Sequence, residues 1–282
     1  MTTLLSHPAL APEALGAALS QKLAVLEQIV LEHAPLLIAY SGGVDSSCLL
    51  ALAEQVLGGE SGRFLGIIAD SPSLPRQALA DAVALAQRIG APLEVVQTAE
   101  MEDPNYASNP VNRCYFCKAE LFRTMERIAR DRQFAALAYG ENADDPAHLR
   151  PGSQAAREFS VIAPLRAAGL TKAEIRTISR ALGLPTADAP AQPCLSSRIP
   201  HGTPVTREAL AMVEQGEAWV RSLGFRVFRV RHVVEHDGSV RARVQIAPDE
   251  MARLPEVQPQ IEGGLKAIGY VAVEIDPQGY RG

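Results

Sequence analysis

Residues 36–47 read Leu36-Leu37-Ile38-Ala39-Tyr40-Ser41-Gly42-Gly43-Val44-Asp45-Ser46-Ser47. An unbroken apolar run of this kind fits a strand buried on both faces, as in a parallel sheet. Its end in Ser-Gly-Gly reads as a turn into a helix over 46–56. The same alternation recurs downstream: strand 64–69, helix 75–89 stopped by Gly90, strand 93–97, helix 119–132, strand 134–139, and helix 172–182 stopped by Gly183 and Pro185. Upstream, Leu15, Leu19, Leu23, Leu26, Ile29 and Val30 draw one apolar stripe along a helix over 12–33. Strands alternating with helices predict an α/β domain whose parallel sheet is covered on both faces, with a ligand site at the carboxyl ends of its strands.

Around Pro200-His201-Gly202-Thr203-Pro204 the composition turns to loop formers and the order of elements changes. A helix over 207–223, strands over 225–233 and 240–246 joined across Asp237-Gly238, a helix over 256–268 and a strand over 270–275 predict a small α+β domain. The division is therefore 1–199 and 200–282. Arg229 and Arg231 share one face of their strand, as do Arg241 and Arg243 of theirs. A two-residue turn would put the two pairs on opposite faces and a three-residue turn would bring them together, and the sequence leaves both open.

The chain has 282 residues, 47% of them hydrophobic and 21% charged, enough apolar material for a large core and too much for a disordered tail protein. Its 27 Lys and Arg stand against 32 Asp and Glu, a net charge of -5, which argues against nucleic acid as a partner. No apolar run reaches membrane-spanning length, and the opening Met1-Thr2-Thr3-Leu4-Leu5 lacks the form of a secretion signal, so a soluble cytoplasmic protein is expected. Four cysteines, Cys48, Cys114, Cys117 and Cys194, do not make a disulfide framework in a chain of this length.

In the segment 41–47 the glycines let backbone N–H groups converge, the serines add hydroxyl donors, and the helix start adds the positive end of its dipole. An anion site follows. No Lys comes after the second glycine, so this is not the phosphate loop of GTPases. It resembles instead the SGGxDS loop of the PP-loop ATP pyrophosphatases (adenine nucleotide alpha-hydrolase-like, Rossmann-like), which activate a carboxyl or carbonyl as its adenylate. Further fragments follow in order: Ala69-Asp70-Ser71-Pro72, Asn112-Arg113-Cys114-Tyr115-Phe116-Cys117-Lys118, Gly140-Glu141-Asn142-Ala143-Asp144-Asp145, Arg150-Pro151-Gly152, Pro164-Leu165, Gly169-Leu170-Thr171-Lys172 and Pro193-Cys194-Leu195-Ser196-Ser197-Arg198. The set is similar to the sacrificial sulfur transferases of the LarE type, across essentially the whole chain.

That resemblance implies an activity in nickel-pincer cofactor biosynthesis, the cofactor of lactate racemase. A carboxylate of pyridinium-3,5-dicarboxylate mononucleotide is adenylated by ATP with Mg²⁺, and Cys194 gives up its sulfur and becomes dehydroalanine. It implies ATP contacts from Ser41, Gly42, Gly43, Val44, Asp45, Ser46, Ser47, Asp70, Ser71 and Gly140. Substrate contacts are expected from Arg198, Arg229, Arg231, Glu141 and Asn142, metal contacts from Asp45, Asp144 and Glu217, and a homo-oligomer. Read from their own setting, Asp144 and Asp145 equally suit a helix cap.

Cys48 lies beside Leu49-Leu50 in the helix after the loop and reads as core. Arg198 is placed to favour a thiolate at Cys194. Cys114 and Cys117 lack the second pair that a closed four-cysteine zinc site needs. With Cys194 they match the three ligands by which related tRNA-thiolating enzymes hold a [4Fe–4S] cluster, and that reading stays open. A nucleotide-binding regulator that has lost catalysis is the alternative from another class. Trp219 and the histidines carry no spacing signal, and His33, His148 and His201 read as surface or cap residues.

Overall fold

The computed structural model describes residues 15–58, 62–146 and 151–280; Met1-Thr2-Thr3-Leu4-Leu5, the first residues of the expected opening helix, His148 and Arg150 lie outside the described residues. It divides into two compact units. The first takes residues through Ser71, Arg76–Ala99 and Cys114–Gln192, and the second takes Pro72–Pro75, Glu100–Arg113 and everything from Pro193.

The first unit runs α1 (Ala17–Glu32), β1 (Leu36–Ala39), α2 (Val44–Leu57), β2 (Phe64–Asp70), α3 (Arg76–Ile89), β3 (Leu93–Gln97), α4 (Arg113–Arg132), β4 (Ala136–Tyr139), α5 (Pro151–Glu158) and α6 (Lys172–Ala181). Its four strands are all parallel in the order β3-β2-β1-β4. One face of the sheet packs Leu37, Ile67 and Val96 against Phe122 and Met125 of α4. On α1, Leu19, Leu23, Leu26 and Val30 are buried, as the apolar spacing requires. On α2 almost every residue is buried, and Leu50 lies against Gly66 of β2, where a Cβ would come within 3.1 Å of it.

Helix α4 begins at Arg113, six residues before the expected start at 119, so Cys114 and Cys117 occupy its first turns. Tyr115 packs on the same core as Ala119 and Phe122, four and seven residues further on, so the stripe reaches back into the opening turn.

The second unit contains α7 (Arg207–Ser222), β5 (Phe228–Val234), β6 (Val240–Ile246), α8 (Leu254–Ile268) and β7 (Ala272–Ile275). The sheet order is β5-β6-β7, antiparallel then parallel. Val220 of α7 and Ile261 and Leu265 of α8 cover the face that carries Phe228, Val230, Ala242, Val244 and Ile246. Glu235 N–H donates to Ser239 O at 2.9 Å, so the hairpin closes on three residues, with Gly238 at φ 82°. Arg231 therefore pairs with Arg243, and Arg229, Arg231, Arg241 and Arg243 share the face opposite the core.

Residues 193–199, read from sequence with the first domain, cluster with the second unit. Two segments from earlier in the chain hold them there. Leu195 N–H donates to Ser73 O at 2.8 Å, and the Asn109 amide donates to Pro200 O and Thr203 O, both at 2.8 Å. Tyr106 and Ser196 join hydroxyls at 2.7 Å in the interior.

Candidate functional site

In the first unit, β1 lies between β2 and β4, and the chain leaves β1 for β2 on one side while β4 pairs on the other. The carboxyl ends of β1 and β4 thus flank the crevice where such sheets take ligands. The segment 41–47 emerges there. Gly42 has φ 74°, and a Cβ on it would lie 2.7 Å from Ala82 Cβ, so glycine is required on both counts. Ser46 Oγ accepts from Ser41 N–H at 3.1 Å and donates to Gly43 O at 3.1 Å, which ties the loop to the first turn of α2. Gly140, just past β4, comes so close to that turn that a Cβ would sit 2.7 Å from Ser46 N.

Charged groups ring this helix start. Lys172 Nζ donates to both oxygens of Asp45 at 2.9 and 2.8 Å, and the Asn142 amide reaches Asp45 at 3.4 Å. Lys172 is the first residue of α6, whose start carries a capping box from Thr171 and Glu174. Asp144 accepts from Lys172 N–H at 2.7 Å, while Thr171 is the N-cap of α6. Glu141 is buried and ion-paired to Arg166 at 3.0 Å. Burial pushes its carboxyl up, but hydrogen bonds from Ser153 and Tyr139 and the charges of Arg166 and Lys118 outweigh this and hold it below the ordinary value. At the end of β2, Asp70 is held below its ordinary value by Arg76 and Gln97, and Arg76 also donates to Ser71 O at 2.5 Å.

In the second unit, Cys194 stands in extended backbone, φ -60° and ψ 157°, at the start of the short 3-10 turn Leu195–Arg198. Its side chain is half-buried, whereas Cys48 is enclosed and its thiol is pushed up to about 12 by burial. Cys114 is exposed and Cys117 half-buried. Arg198 and Glu217 form a buried bidentate pair at 2.7 and 2.9 Å. Arg231 donates to Ser197 O at 2.7 Å and to Gln245 at 2.8 Å. Arg229 donates to Tyr280 Oη at 3.1 Å and stacks on its ring at 4.5 Å. Burial, and after it the neighbouring charge of Arg198, push both guanidinium groups below their ordinary value. Arg241 and Arg243 instead share Glu274 of β7.

Arg198 donates to Pro193 O, Cys194 O and Ser197 Oγ, so it supports the turn that carries Cys194. Asp45 faces Lys172 and Asp144 the start of α6; in the second unit Glu217 faces Arg198. Among the described residues no three or more His, Cys, Asp or Glu side chains are gathered to hold a metal ion. Lys172, Arg166, Ser153 and Tyr280 were not given roles from sequence. Only Lys172 left a signal, since Thr171-Lys172-Ala173-Glu174 reads as a capping box.

The glycine loop, the parallel sheet and the small second sheet define a PP-loop, Rossmann-like nucleotide-binding domain joined to an α+β unit, an ATP-using class. The NAD synthase family profile matches residues 20–145. The chain is 42% identical to the uncharacterized protein slr1717 of Synechocystis sp., over 93% of this chain and 96% of that one. It is 28% identical to the pyridinium-3,5-bisthiocarboxylic acid mononucleotide synthase of Lactiplantibacillus plantarum, over 94% of each, and 26% identical to the uncharacterized protein MJ0830 of Methanocaldococcus jannaschii, over 87% and 90%. The chain belongs to the same family as the Synechocystis protein, and it is similar along nearly its whole length to the Lactiplantibacillus synthase. Among the described residues no helix is long and apolar enough to cross a membrane.

Proposed function

We propose that the chain is an ATP-dependent sulfur transferase of nickel-pincer cofactor biosynthesis, acting on pyridinium-3,5-dicarboxylate mononucleotide with Cys194 as the sulfur donor. The setting of Cys194 carries this reading: a half-buried thiol on a turn to which Arg198 and Arg231 both donate. Full-length similarity to a synthase that makes a bisthiocarboxylic mononucleotide supports it.

In this reading Ser41, Gly42, Gly43, Val44, Asp45, Ser46 and Ser47 receive the triphosphate, Asp70, Ser71 and Gly140 line the nucleotide, and Mg²⁺ enters on the ATP phosphates, as that ion commonly does. Glu141 and Asn142 orient the substrate, and Arg229 and Arg231 take its phosphate. A carboxylate oxygen attacks the α-phosphorus and pyrophosphate leaves. The thiolate of Cys194 then attacks the carbonyl carbon and AMP leaves with the C–O electron pair, giving a thioester. Removal of the Cα proton of Cys194 breaks its Cβ–Sγ bond, which leaves a thiocarboxylate on the substrate and dehydroalanine on the protein. The protein works as a homo-oligomer in the cytoplasm.

The intact mass of anaerobically purified protein, before and after ATP, Mg²⁺ and the dicarboxylate mononucleotide, tests this. A loss of about 34 Da, the mass of H₂S, mapped to Cys194 and absent from Cys194→Ala, is expected. Unchanged mass, with iron and sulfide that disappear in Cys114→Ala and Cys117→Ala, would overturn the sacrificial route in favour of a cluster enzyme. ATP binding without pyrophosphate release would make the chain a regulator.

A further inference from the structure

A guanidinium offers five N–H donors in a rigid fork, and those of Arg198 can be followed one by one. Nε and one terminal nitrogen lie on Glu217 at 2.7 and 2.9 Å. The other terminal nitrogen serves Pro193 O at 2.6 Å, Cys194 O at 3.1 Å and Ser197 Oγ at 3.0 Å. The two side chains are 4% and 5% exposed, so each charge depends on the other. Glu217 Oε1 also accepts from Val230 N–H at 3.2 Å, the residue between Arg229 and Arg231 on β5. Arg231 returns the link by donating to Ser197 O at 2.7 Å. One buried carboxylate thus ties together the backbone of the turn bearing Cys194 and the backbone of the strand bearing the two arginines. To ligate a metal, Glu217 would have to abandon a buried cation.

We propose that Glu217 is a positioning residue: acting through Arg198, it holds the Cys194 thiol in fixed register with Arg229 and Arg231, so that a substrate seated by its phosphate meets the sulfur at a set distance. This rests on the reading of Cys194 as donor. Reacting atoms misplaced by an ångström lose most of the advantage of proximity, so a pair that never touches substrate still controls the transfer step.

The test uses the full-length chain and two variants, Arg198→Lys, which keeps the charge and loses the fork, and Glu217→Gln, which keeps the shape and loses the charge. Iodoacetamide labelling with peptide mapping, without ATP or substrate, times Cys194 against Cys114 and Cys117 in the same sample. Release of the turn is expected to speed Cys194 labelling about tenfold in either variant, with Cys114 and Cys117 unchanged and the double variant no faster than the singles. In the transfer assay, loss of sulfur from Cys194 is expected to slow about tenfold or more, while pyrophosphate release keeps the Mg²⁺ dependence of the parent.

An unchanged labelling rate, or additive effects in the double variant, would overturn the proposal. A shifted Mg²⁺ requirement in Glu217→Gln would do the same by making Glu217 a metal ligand. Enclosed Cys48 reports on the fold: if it labels in both variants, the pair serves folding and not register, and the proposal fails. A parent chain that keeps its sulfur refutes the donor reading, and the labelling comparison still decides the positioning.

Discussion

Lys172 Nζ lies 2.9 and 2.8 Å from the two carboxylate oxygens of Asp45, although the residues are 127 apart in sequence. With side chains 41% and 17% exposed, the pair adds little to stability, below about 1 kcal/mol. Its consequence is local electrostatics at the start of α2, where a triphosphate is proposed to bind. Lys172→Met removes a cation there and also uncovers the charge of Asp45, and both changes oppose an anion. ATP affinity measured calorimetrically is expected to fall about tenfold, roughly 1.4 kcal/mol, with a nearly unchanged melting temperature. A large loss of stability with unchanged affinity would contradict this account.

Gly140→Ala places a methyl group 2.7 Å from Ser46 N and 3.0 Å from Asp45 C, backbone atoms that cannot step aside as a side chain would. The end of β4 and the start of α2 must separate, at a cost of about 1–3 kcal/mol. Denaturant unfolding should show that loss together with weakened ATP binding. Gly43→Ala is the control for stability alone, since its Cβ would meet only the Ser41 hydroxyl, at 3.4 Å.

The apolar run 36–40 and the glycines after it made the parallel sheet and the phosphate loop legible, because burial on both faces and a strand-to-helix turn leave local marks. Features set by distant partners left none. Buried Arg113 donates to Ser196 O at 3.0 Å, a partner far along the chain. The face shared by the arginines hung on one residue of turn length, fixed by the bond from Glu235 to Ser239. The pairing of Glu217 with Arg198, 19 residues away, left no mark in the sequence. Segments 72–75 and 100–113 join the second unit in part through backbone bonds such as Leu195 to Ser73, which carry no side-chain signature.

Burial raises the Cys48 thiol from 9.0 to about 12 and the Tyr40 hydroxyl from 10.0 to about 12. A group whose pKa is higher in the folded chain keeps its full contribution below the unfolded value and loses it as pH climbs toward the folded one. Stability is therefore expected to decline between about pH 9 and pH 12, by up to about 1.4 kcal/mol per pH unit for each such group. Cys48→Ala should flatten the early part of that decline in denaturant titrations, and Tyr40→Phe the later part. Parallel curves for parent and Cys48→Ala from pH 9 to 11 would show that the thiol ionises without unfolding the chain.

Tyr280 sits beside Arg229 in two ways, through its ring at 4.5 Å and through its hydroxyl at 3.1 Å. The backbone brings it there, since Tyr280 N–H donates to Ile246 O at 2.8 Å. Gly279, at φ 67°, leaves no room for a Cβ, which would lie 2.6 Å from the same carbonyl. A long guanidinium side chain loses rotamer freedom when it binds an anion, and a ring that holds it in advance lowers that cost. If Arg229 receives the substrate phosphate, Tyr280→Ala should raise KM for the mononucleotide about tenfold and leave kcat near the parent value. Tyr280→Phe keeps the stacked ring and loses only the hydroxyl contact, so its KM should fall between the two. Equal losses in Phe and Ala would assign the effect to the hydroxyl, and a drop in kcat at unchanged KM would move Arg229 from phosphate binding to the chemical step.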